Sequence, residues 1–477
     1  MTFNKTKIVA TIGPASADYE TLKKMVLAGM NVCRINCSHG KHEDLKLIIE
    51  NIRKINEELQ SNVPILADLQ GPKLRVGEME NGGTELQEGK KILITTQKCI
   101  GTADKIYINY DNFPLDVKPD EIVLLDDGKL QLQIKKTNKI DEVEAVVING
   151  GYLSSRKGVN LPKTKVSLPS LTEKDLKDLD FVLEHEVEWI GLSFVRSASD
   201  IIELRHLISK KRKQSRIVAK IEKPEAIEDL ENIVQECDAI MVARGDLGVE
   251  MPMEQVPVIQ KMIVKTCLKE GKPCIIATQM MESMITNVTP TRAEVNDAAN
   301  SILDGADAVM LSGETSTGKH PVKVIENIKK IISFVESNEK LYRFTVDFDE
   351  TPQSDKSRFI SNYICRDACH LADQSGAKAI ITMTGSGFSA MKVAGYRPNC
   401  NIYAFTSNKI LMNTLSLVWG VRTIYYDKFV STDHTIADIR YILRKMGYVK
   451  EGDLIINIAS IPMEERGMSN MLKMSVV

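Results

Sequence analysis

Residues 217–246 read IVAKIEKPEAIEDLENIVQECDAIMVARGD, a stretch in which two apolar runs flank a segment with helical spacing. The runs Ile217–Glu222 and Ala239–Ala243 are short and rich in aliphatic residues, as buried strands are. A strand, a helix and a second strand in this order are typical of a parallel sheet covered by helices. The stretch therefore predicts one βαβ unit of an α/β fold.

The same unit recurs along the chain. Further apolar runs alternate with helical patterns at Lys7–Ile12, Val32–Asn36, Ile65–Leu69, Trp189–Val195, Cys274–Thr278 and Ala308–Leu311. With the first two they make eight, which favours a (β/α)8 TIM barrel over an open sheet. A long interruption separates the third and fourth runs, so the barrel is predicted to be discontinuous, with parts at 1–71 and 170–341.

The interruption, residues 72–169, has a different composition. It is rich in Gly, Asp, Asn and Lys, and its short alternating runs are separated by turn signals such as Asp127-Gly128. This pattern predicts a small all-β domain inserted in a βα loop of the barrel. Strands and helices alternate again in residues 342–477, which predicts a separate C-terminal α/β domain.

The overall composition excludes several classes of protein. The chain has 477 residues, 43% of them hydrophobic, and a net charge of −2, which would not recruit nucleic acid or an anionic membrane. No apolar run approaches the roughly 20 residues of a membrane span, and the N-terminus lacks a signal-peptide core. Nine cysteines are scattered without a C-x-x-C pair, which predicts reduced thiols and a cytoplasmic protein.

Polar and charged side chains occur at the carboxyl ends of the predicted strands, where barrel enzymes carry their active sites. Residues two apart share one face of a strand, so Arg34 and Asn36 point the same way, as do Lys220 and Glu222. Any one of them could be a structural ion pair, but charges from several strands around one interior indicate a common site. The other strand ends contribute Asp68, Asp246 and Thr278.

The residue types indicate the chemistry of this site. Glu222 and Asp246 are carboxylates without His or Cys partners, a set that suits Mg²⁺ or Mn²⁺ better than zinc. Arg34 and Lys220 supply positive charge for an anion such as phosphate. Gly245 lets backbone N–H groups approach a carboxylate or phosphate. Together they predict a metal-assisted reaction on a phosphorylated small acid.

The motifs around these residues resemble those of the pyruvate kinase family, in order and spacing, over essentially the whole chain. The matching stretches are KIVATIGPAS (Lys7–Ser16), MNVCRINCSHG (Met30–Gly40), DLQGPKLR (Asp68–Arg75), RKGVNLP (Arg156–Pro162), KIEKPE (Lys220–Glu225), IMVARGDLG (Ile240–Gly248), ATQMMESM (Ala277–Met284), PTRAEVNDAAN (Pro290–Asn300) and MLSGET (Met310–Thr315). The resemblance implies phosphoryl transfer from phosphoenolpyruvate to ADP, giving pyruvate and ATP in glycolysis. It also implies Mg²⁺ (or Mn²⁺) as cofactor, a homotetramer and a phosphorylated allosteric effector.

The resemblance further implies a role for each site residue. The expected catalytic residues are Lys220, Thr278 and Arg34, with Lys220 stabilising the transferring phosphoryl group and the developing enolate. The expected substrate contacts are Arg34, Lys220, Gly245, Asp246 and Thr278. The expected Mg²⁺ ligands are Glu222 and Asp246, and the expected nucleotide contacts are Asn36, His39, Arg75 and Lys157. Either Thr278 or a water relay could protonate the enolate.

The chain departs from the family pattern at the K⁺ site. Members that are activated by K⁺ hold it at positions that here are Asn36, Ser38, Asp68 and Leu69. These members carry a glutamate where this chain has Lys73, and Leu69 offers no side-chain oxygen. A neutral change in a loop is one interpretation. The other, which we adopt, is that the Lys73 ammonium takes the place of K⁺, so that K⁺ is not required.

A second departure lies in the predicted C-terminal domain. The segment TMTGSGFS, residues 382–389, is predicted to end a strand and begin a helix, and it resembles the effector loop of the family. Its hydroxyls and glycines predict a phosphate-binding loop formed by Thr382, Thr384, Ser386, Gly387 and Ser389. Phe388 replaces an arginine of the family pattern, which argues against fructose 1,6-bisphosphate as the ligand.

Two other functions fit parts of the sequence. Other Mg²⁺-dependent TIM barrels that act on phosphoenolpyruvate-like enolates also carry a Glu/Asp pair, but they lack an inserted domain with Arg75 and Lys157. A non-enzymatic relative would have lost a charged site residue, and none is missing. Pyruvate release that depends on ADP separates these alternatives.

Overall fold

Eight parallel strands close into a barrel, which confirms the TIM-barrel prediction. The computed structural model of the protein describes residues 4–38, 40–339, 341, 356–428, 431–461 and 469–477. The barrel strands, labelled β1 to β8 along the chain, are Lys7–Thr11, Val32–Asn36, Ile65–Asp68, Trp189–Leu192, Arg216–Ile221, Ala239–Ala243, Cys274–Ala277 and Ala308–Leu311. β1 pairs with both β2 and β8, so the barrel has no open edge.

Helices cover the outside of the barrel. They are Tyr19–Ala28, His42–Leu59, Glu173–Glu184, Ala198–Lys210, Pro224–Glu228, Leu230–Glu236, Arg244–Glu250, Val256–Glu270, Arg292–Asp304, Gly313–Ser316 and Pro321–Asn338. Their apolar residues recur at helical spacing, so that one face of His42–Leu59 buries Leu45, Ile48, Ile52 and Ile55. None of the helices in the described part of the chain is long and apolar enough to span a membrane.

The interior of the barrel changes character along its axis. Near the amino ends of the strands it is filled by apolar side chains such as Val9, Trp189 and Val218. Leu417, from the C-terminal part of the chain, is fully buried in the same cluster and closes the amino end of the barrel. Because alternate residues share a face, Lys220 follows Val218 into the interior, one layer higher. Polar side chains therefore collect at the carboxyl end.

The chain between β3 and β4 forms the small all-β domain that the sequence predicts. Its strands are Gly83–Leu86, Lys91–Thr95, Lys105–Tyr107, Ile122–Leu125, Leu130–Thr137, Glu142–Asn149, Gly151–Ser154 and Val159–Asn160, with one short α-helix, Phe113–Asp116. They make a six-stranded and a two-stranded sheet around a separate apolar core. We call this part the inserted domain. Its second connection to the barrel is held by Arg196, which donates to the carbonyls of Val166 and Leu168.

A five-stranded sheet with helices forms the predicted C-terminal α/β domain. Its strands are Ala379–Met383, Asn401–Thr406, Val421–Tyr425, Leu454–Ala459 and Met471–Val476, and its helices are Lys356–Ser375, Phe388–Gly395, Lys409–Leu415 and Thr432–Lys445. Sequence patterns missed the last strand, which runs antiparallel to its neighbour. It lies at the edge of the sheet and none of its residues is fully buried, so it does not need the continuous apolar run that marks the other strands.

Charged residues join the C-terminal domain to the amino end of the barrel. The Asp307 carboxylate accepts hydrogen bonds from the backbone N–H groups of Cys274 and Trp419. It also pairs with the buried guanidinium of Arg397 at 2.8 Å. Lys7, on β1, is also buried and donates to the Val421 carbonyl at 2.9 Å. Burial, with a smaller contribution from the nearby Arg422, lowers the pKa of Lys7 to about 7. The junction therefore holds two buried basic side chains, Arg397 and Lys7.

Candidate active site

Lys220, at the end of β5, occupies the centre of the site. Its Nζ lies 3.1 Å from Asp68 Oδ1 and 3.0 Å from Glu222 Oε1, and it donates to Ser193 Oγ at 2.7 Å. Burial alone would lower the pKa of this ammonium, but the charges of Asp68 and Glu222 outweigh burial and raise it. Lys220 is therefore a fixed positive charge inside the barrel.

Arg34, on β2, is held by the same aspartate. Its Nε and Nη2 lie 2.9 and 2.5 Å from Asp68 Oδ2, and its Nη1 donates to Thr11 Oγ1 at 2.7 Å. Burial would raise the pKa of Asp68, but Lys220 and Arg34 hold it below the ordinary value. The structure thus brings the two predicted phosphate-binding cations together. Asp68, which the sequence placed among K⁺ ligands, forms ion pairs with both.

Glu222 and Asp246 supply the carboxylates expected to bind a metal. Glu222 is buried, and its Oε2 accepts the Phe194 N–H at 2.8 Å. Burial raises the pKa of Glu222, Lys220 opposes the rise, and the charge of Asp246 adds to it. A pair of carboxylates fits a hard divalent cation such as Mg²⁺, which proteins often hold with only one or two carboxylates. Within the described residues, no group of three or more His, Cys, Asp or Glu forms an alternative metal site.

Thr278, just after β7, has strained backbone geometry. Its φ is +70°, which is rare for a β-branched residue, and Gln279 follows with φ +53°. The Thr278 hydroxyl accepts the Gly245 N–H at 2.8 Å. Arg244 donates to the carbonyls of Ala277 and Thr278 and thereby holds this turn in place. Strain of this kind is concentrated at functional sites, where the surrounding structure must impose it.

Sequence reasoning did not assign a role to Arg244. Its guanidinium pairs with Asp297 at 2.8 Å, on the helix Arg292–Asp304, in addition to bonding the turn at Thr278. A charged residue directly after a barrel strand was the only sequence signal for it. The pairing with Asp297 spans 53 positions along the chain and becomes visible only in the fold.

The predicted nucleotide residues come from two parts of the fold, the barrel and the inserted domain. Asn36 ends β2, and its Oδ1 accepts the Ser38 N–H at 3.0 Å. Arg75 and Lys157 belong to the inserted domain, where Arg75 donates to the Arg156 carbonyl and Lys157 pairs with Asp126 at 2.8 Å. The hydrogen bond to Asp126 raises the pKa of Lys157. No contact in the described residues joins these three side chains, and His39 lies outside the described residues.

Lys73, the predicted substitute for K⁺, lies beside one of the two carboxylates expected to bind a metal. Lys73 Nζ lies 3.7 Å from Asp246 Oδ1, and both side chains are about one-third exposed. Leu69, by contrast, is buried in the core between strands and helices. The Lys73 charge is therefore beside Asp246 in this structure.

The C-terminal loop at residues 382–389 has the predicted position between a strand and a helix. The strand ends at Met383, and the helix begins at Phe388, after Gly387 in the left-handed region with φ +87°. Gly387 N–H donates to Thr384 Oγ1 at 2.8 Å. Ser389 is buried, and the buried Thr382 hydroxyl has no partner in the described part of the chain.

This loop also contacts the barrel. Arg216, the first residue of β5, donates to the Ser386 carbonyl oxygen at 2.7 Å. The same strand carries Lys220 near its other end. One strand therefore connects the C-terminal loop to the centre of the site.

Comparison with known proteins identifies the family. The family models described as "Pyruvate kinase, barrel domain" and "Pyruvate kinase, alpha/beta domain" match residues 3–325 and 362–475. Pyruvate kinase from Geobacillus stearothermophilus is 42% identical over 475 residues, which are 99% of this chain and 80% of the relative. That from Staphylococcus epidermidis is 40% identical over 474 residues, with the same coverage. A crystal structure of a pyruvate kinase from Cryptosporidium parvum is 32% identical, with a TM-score of 0.92, and the match covers 99% of this chain and 96% of that chain. The chain belongs to the pyruvate kinase family and is a phosphotransferase.

Proposed function

We propose that the chain transfers the phosphoryl group of phosphoenolpyruvate to ADP, with Mg²⁺ as cofactor and without a requirement for K⁺. The observation that carries this proposal is Lys220, whose side chain is only 12% exposed and whose ammonium is kept charged by Asp68 and Glu222. A fixed cation at the carboxyl end of a barrel is placed to bind an anion and to stabilise charge that develops during reaction.

Arg34 and Lys220 would bind the phosphoryl group. Asp68 holds both cations on one side of the site, so the phosphoryl oxygens meet charges that need no rearrangement. A unit charge about 4 Å from the developing enolate is worth about 4 kcal/mol at an effective dielectric of 20. Phosphoryl transfer depends mostly on such positioning and electrostatics.

Glu222 and Asp246 would hold Mg²⁺, which supplies further positive charge to the substrate when bound. Both offer the carboxylate oxygens that Mg²⁺ prefers as ligands. Burial, and to a smaller extent the charge of Asp246, raises the pKa of Glu222, and a bound cation would favour its charged form. Gly245 and Thr278 would contact the substrate carboxylate. Thr278 is held by the strained turn, and its hydroxyl is a candidate proton donor to the enolate carbon, directly or through water.

The inserted domain would act as a lid that carries the nucleotide contacts Arg75 and Lys157. Lys157 now pairs with Asp126, and an ADP phosphate would have to replace that carboxylate. Asn36 would meet the nucleotide from the barrel side, as would His39. Lys73 supports K⁺ independence because it places a monovalent positive charge next to Asp246, one of the proposed metal ligands.

The C-terminal loop would bind a phosphorylated effector. The unpartnered Thr382 hydroxyl and the Gly387 turn support this, and the bond from Arg216 offers a route to Lys220 through β5. We further propose a homotetramer, supported by apolar side chains exposed on the helix Val256–Glu270, such as Val258 and Met262. The free and mostly buried cysteines support a reducing, cytoplasmic location.

A coupled assay of pyruvate release tests the catalytic proposal. We expect release to depend on ADP and Mg²⁺, and to proceed without K⁺. Release that is independent of ADP would favour another enzyme of phosphoenolpyruvate-like enolates. Light scattering that gives the 53.2 kDa mass of a monomer at micromolar concentration would contradict the tetramer.

A further inference from the structure

A buried carboxylate outside the reacting centre joins the inserted domain to the barrel. Glu250 ends the helix Arg244–Glu250, whose first turn carries Asp246. Its side chain is 1% exposed, and its Oε1 accepts from Lys223 Nζ at 2.6 Å. The same oxygen accepts from Asn160 Nδ2, in the last strand of the inserted domain, at 2.7 Å. One oxygen atom therefore binds both domains.

Each partner of Glu250 lies within three positions of a residue of the proposed active site. Lys223 directly follows Glu222, one of the proposed metal ligands. Asn160 lies three positions after Lys157, one of the proposed nucleotide contacts. The three side chains thus connect the loops that carry the metal carboxylates to the segment that carries the nucleotide contact.

The hydrogen bond between Asn160 and Glu250 depends on the position of the inserted domain on the barrel. If Asn160 moved away, Glu250 would keep only the bond to Lys223, because its Oε2 has no partner in the described part of the chain. Hydrogen bonds to a buried charged group are stronger than neutral ones. A second contact supports the same seating: a methyl group on Gly128, at the tip of a hairpin of the inserted domain, would lie 3.9 Å from Val249 Cγ1.

We infer that Asn160, Glu250 and Lys223 form a latch that holds the inserted domain on the barrel, with Glu250 as a positioning residue for the nucleotide. The inference rests on the proposed function, because the latch acts by bringing Arg75 and Lys157 over the site. When fewer molecules are latched, the apparent affinity for ADP falls by the same factor. Phosphoenolpyruvate contacts only barrel residues in the proposed mechanism, so its apparent affinity is insensitive to the latch.

The first test is Asn160→Asp, which places a second carboxylate against the buried Glu250 and drives the domains apart. We expect the KM for ADP to rise at least about tenfold, while kcat and the KM for phosphoenolpyruvate stay within about twofold. The matched control is Asn149→Asp, an exposed asparagine of the same domain whose amide donates to the Lys129 carbonyl. This control should leave all three constants unchanged.

The second test restores the pairing with the groups exchanged. In the double variant Asn160→Asp with Glu250→Gln, the amide at position 250 can donate to the carboxylate at position 160, so the pair again has one amide and one carboxylate. The KM for ADP should then return to within about threefold of the original. A purely structural defect would not be rescued in this way. Equal rises in the two KM values, or failure of the exchange to rescue, would overturn the latch.

Hydrogen exchange without substrates separates this inference from the proposed function. In Asn160→Asp, amides of residues 126–128 and 158–160 should exchange faster than in the unmodified chain, whatever reaction the chain catalyses. Unchanged exchange would overturn the latch. Absence of ADP-dependent pyruvate release from the unmodified chain would instead refute the proposed function.

Discussion

Lys220→Met removes the central charge of the site and keeps about the same side-chain volume. In the structure this charge lies 3.1 Å from Asp68 and 3.0 Å from Glu222. If the developing enolate lies about 4 Å away, the lost attraction is about 4 kcal/mol at an effective dielectric of 20. That energy corresponds to about a thousandfold in rate. We therefore expect kcat to fall at least about 10³-fold, in the range seen when a transition-state charge stabiliser is removed.

The affinity for phosphoenolpyruvate should change little, because Arg34 and its contact with Asp68 remain. The assay is steady-state pyruvate release at saturating ADP and Mg²⁺, with substrate affinity measured separately by equilibrium binding. Lys210→Met, an exposed lysine in the last turn of its helix, is the matched control and should keep full activity. Circular dichroism must show that both variants are folded. A Lys220→Met variant that retains a tenth of the normal kcat would refute the role of Lys220.

Three further predictions follow from the site and the domain junction. Glu222→Ala and Asp246→Ala should each abolish Mg²⁺-dependent turnover, because only two protein carboxylates would anchor the ion; normal activity at ordinary Mg²⁺ would remove that residue from the ligand set. Turnover in K⁺ and in a bulky organic cation at equal ionic strength should differ less than about threefold, and Lys73→Glu should lose activity that K⁺ partly restores. Tenfold stimulation of the unmodified chain by K⁺ would contradict this. The pKa of Lys7 is about 7 in the folded chain and about 10.4 in the unfolded chain. Between pH 7 and about pH 10.4 the unfolded state therefore binds more protons, and the free energy of unfolding rises with pH. Lys7→Met should therefore unfold at a higher temperature than the original chain at pH 6, with an advantage that shrinks above pH 7; a constant difference would contradict the lowered pKa.

The sequence predicts the barrel well because its signals are local. Each barrel strand is a short apolar run, and the two-residue period of a strand puts Lys220 beside Glu222 and Arg34 beside Asn36 on one face. A common site formed by several strands could also be predicted, because charged residues at the ends of these strands need partners inside the barrel. In the structure, Arg34 and Lys220 both pair with Asp68 in that interior.

The pairings themselves could not be predicted from the sequence. Asp68 has the same local signal whether it binds a monovalent ion or two cationic side chains, and only the closed barrel brings Arg34 and Lys220 to it. Glu250 and Asn160 lie 90 positions apart, and neither has a motif that points to the other. Long-range polar contacts depend on how whole domains are placed, which local periodicity does not encode.

Leu417 has a consequence for any attempt to shorten or recombine this chain. A barrel that lost the C-terminal domain would have an open lower end lined by Val9, Trp189 and Val218, with water beside an apolar layer. Asp307 would at the same time lose its Arg397 and Trp419 donors. The barrel is therefore unsuited to being expressed or transferred without its C-terminal domain. A chimera that exchanges C-terminal domains must supply an apolar side chain equivalent to Leu417 and a cationic side chain equivalent to Arg397.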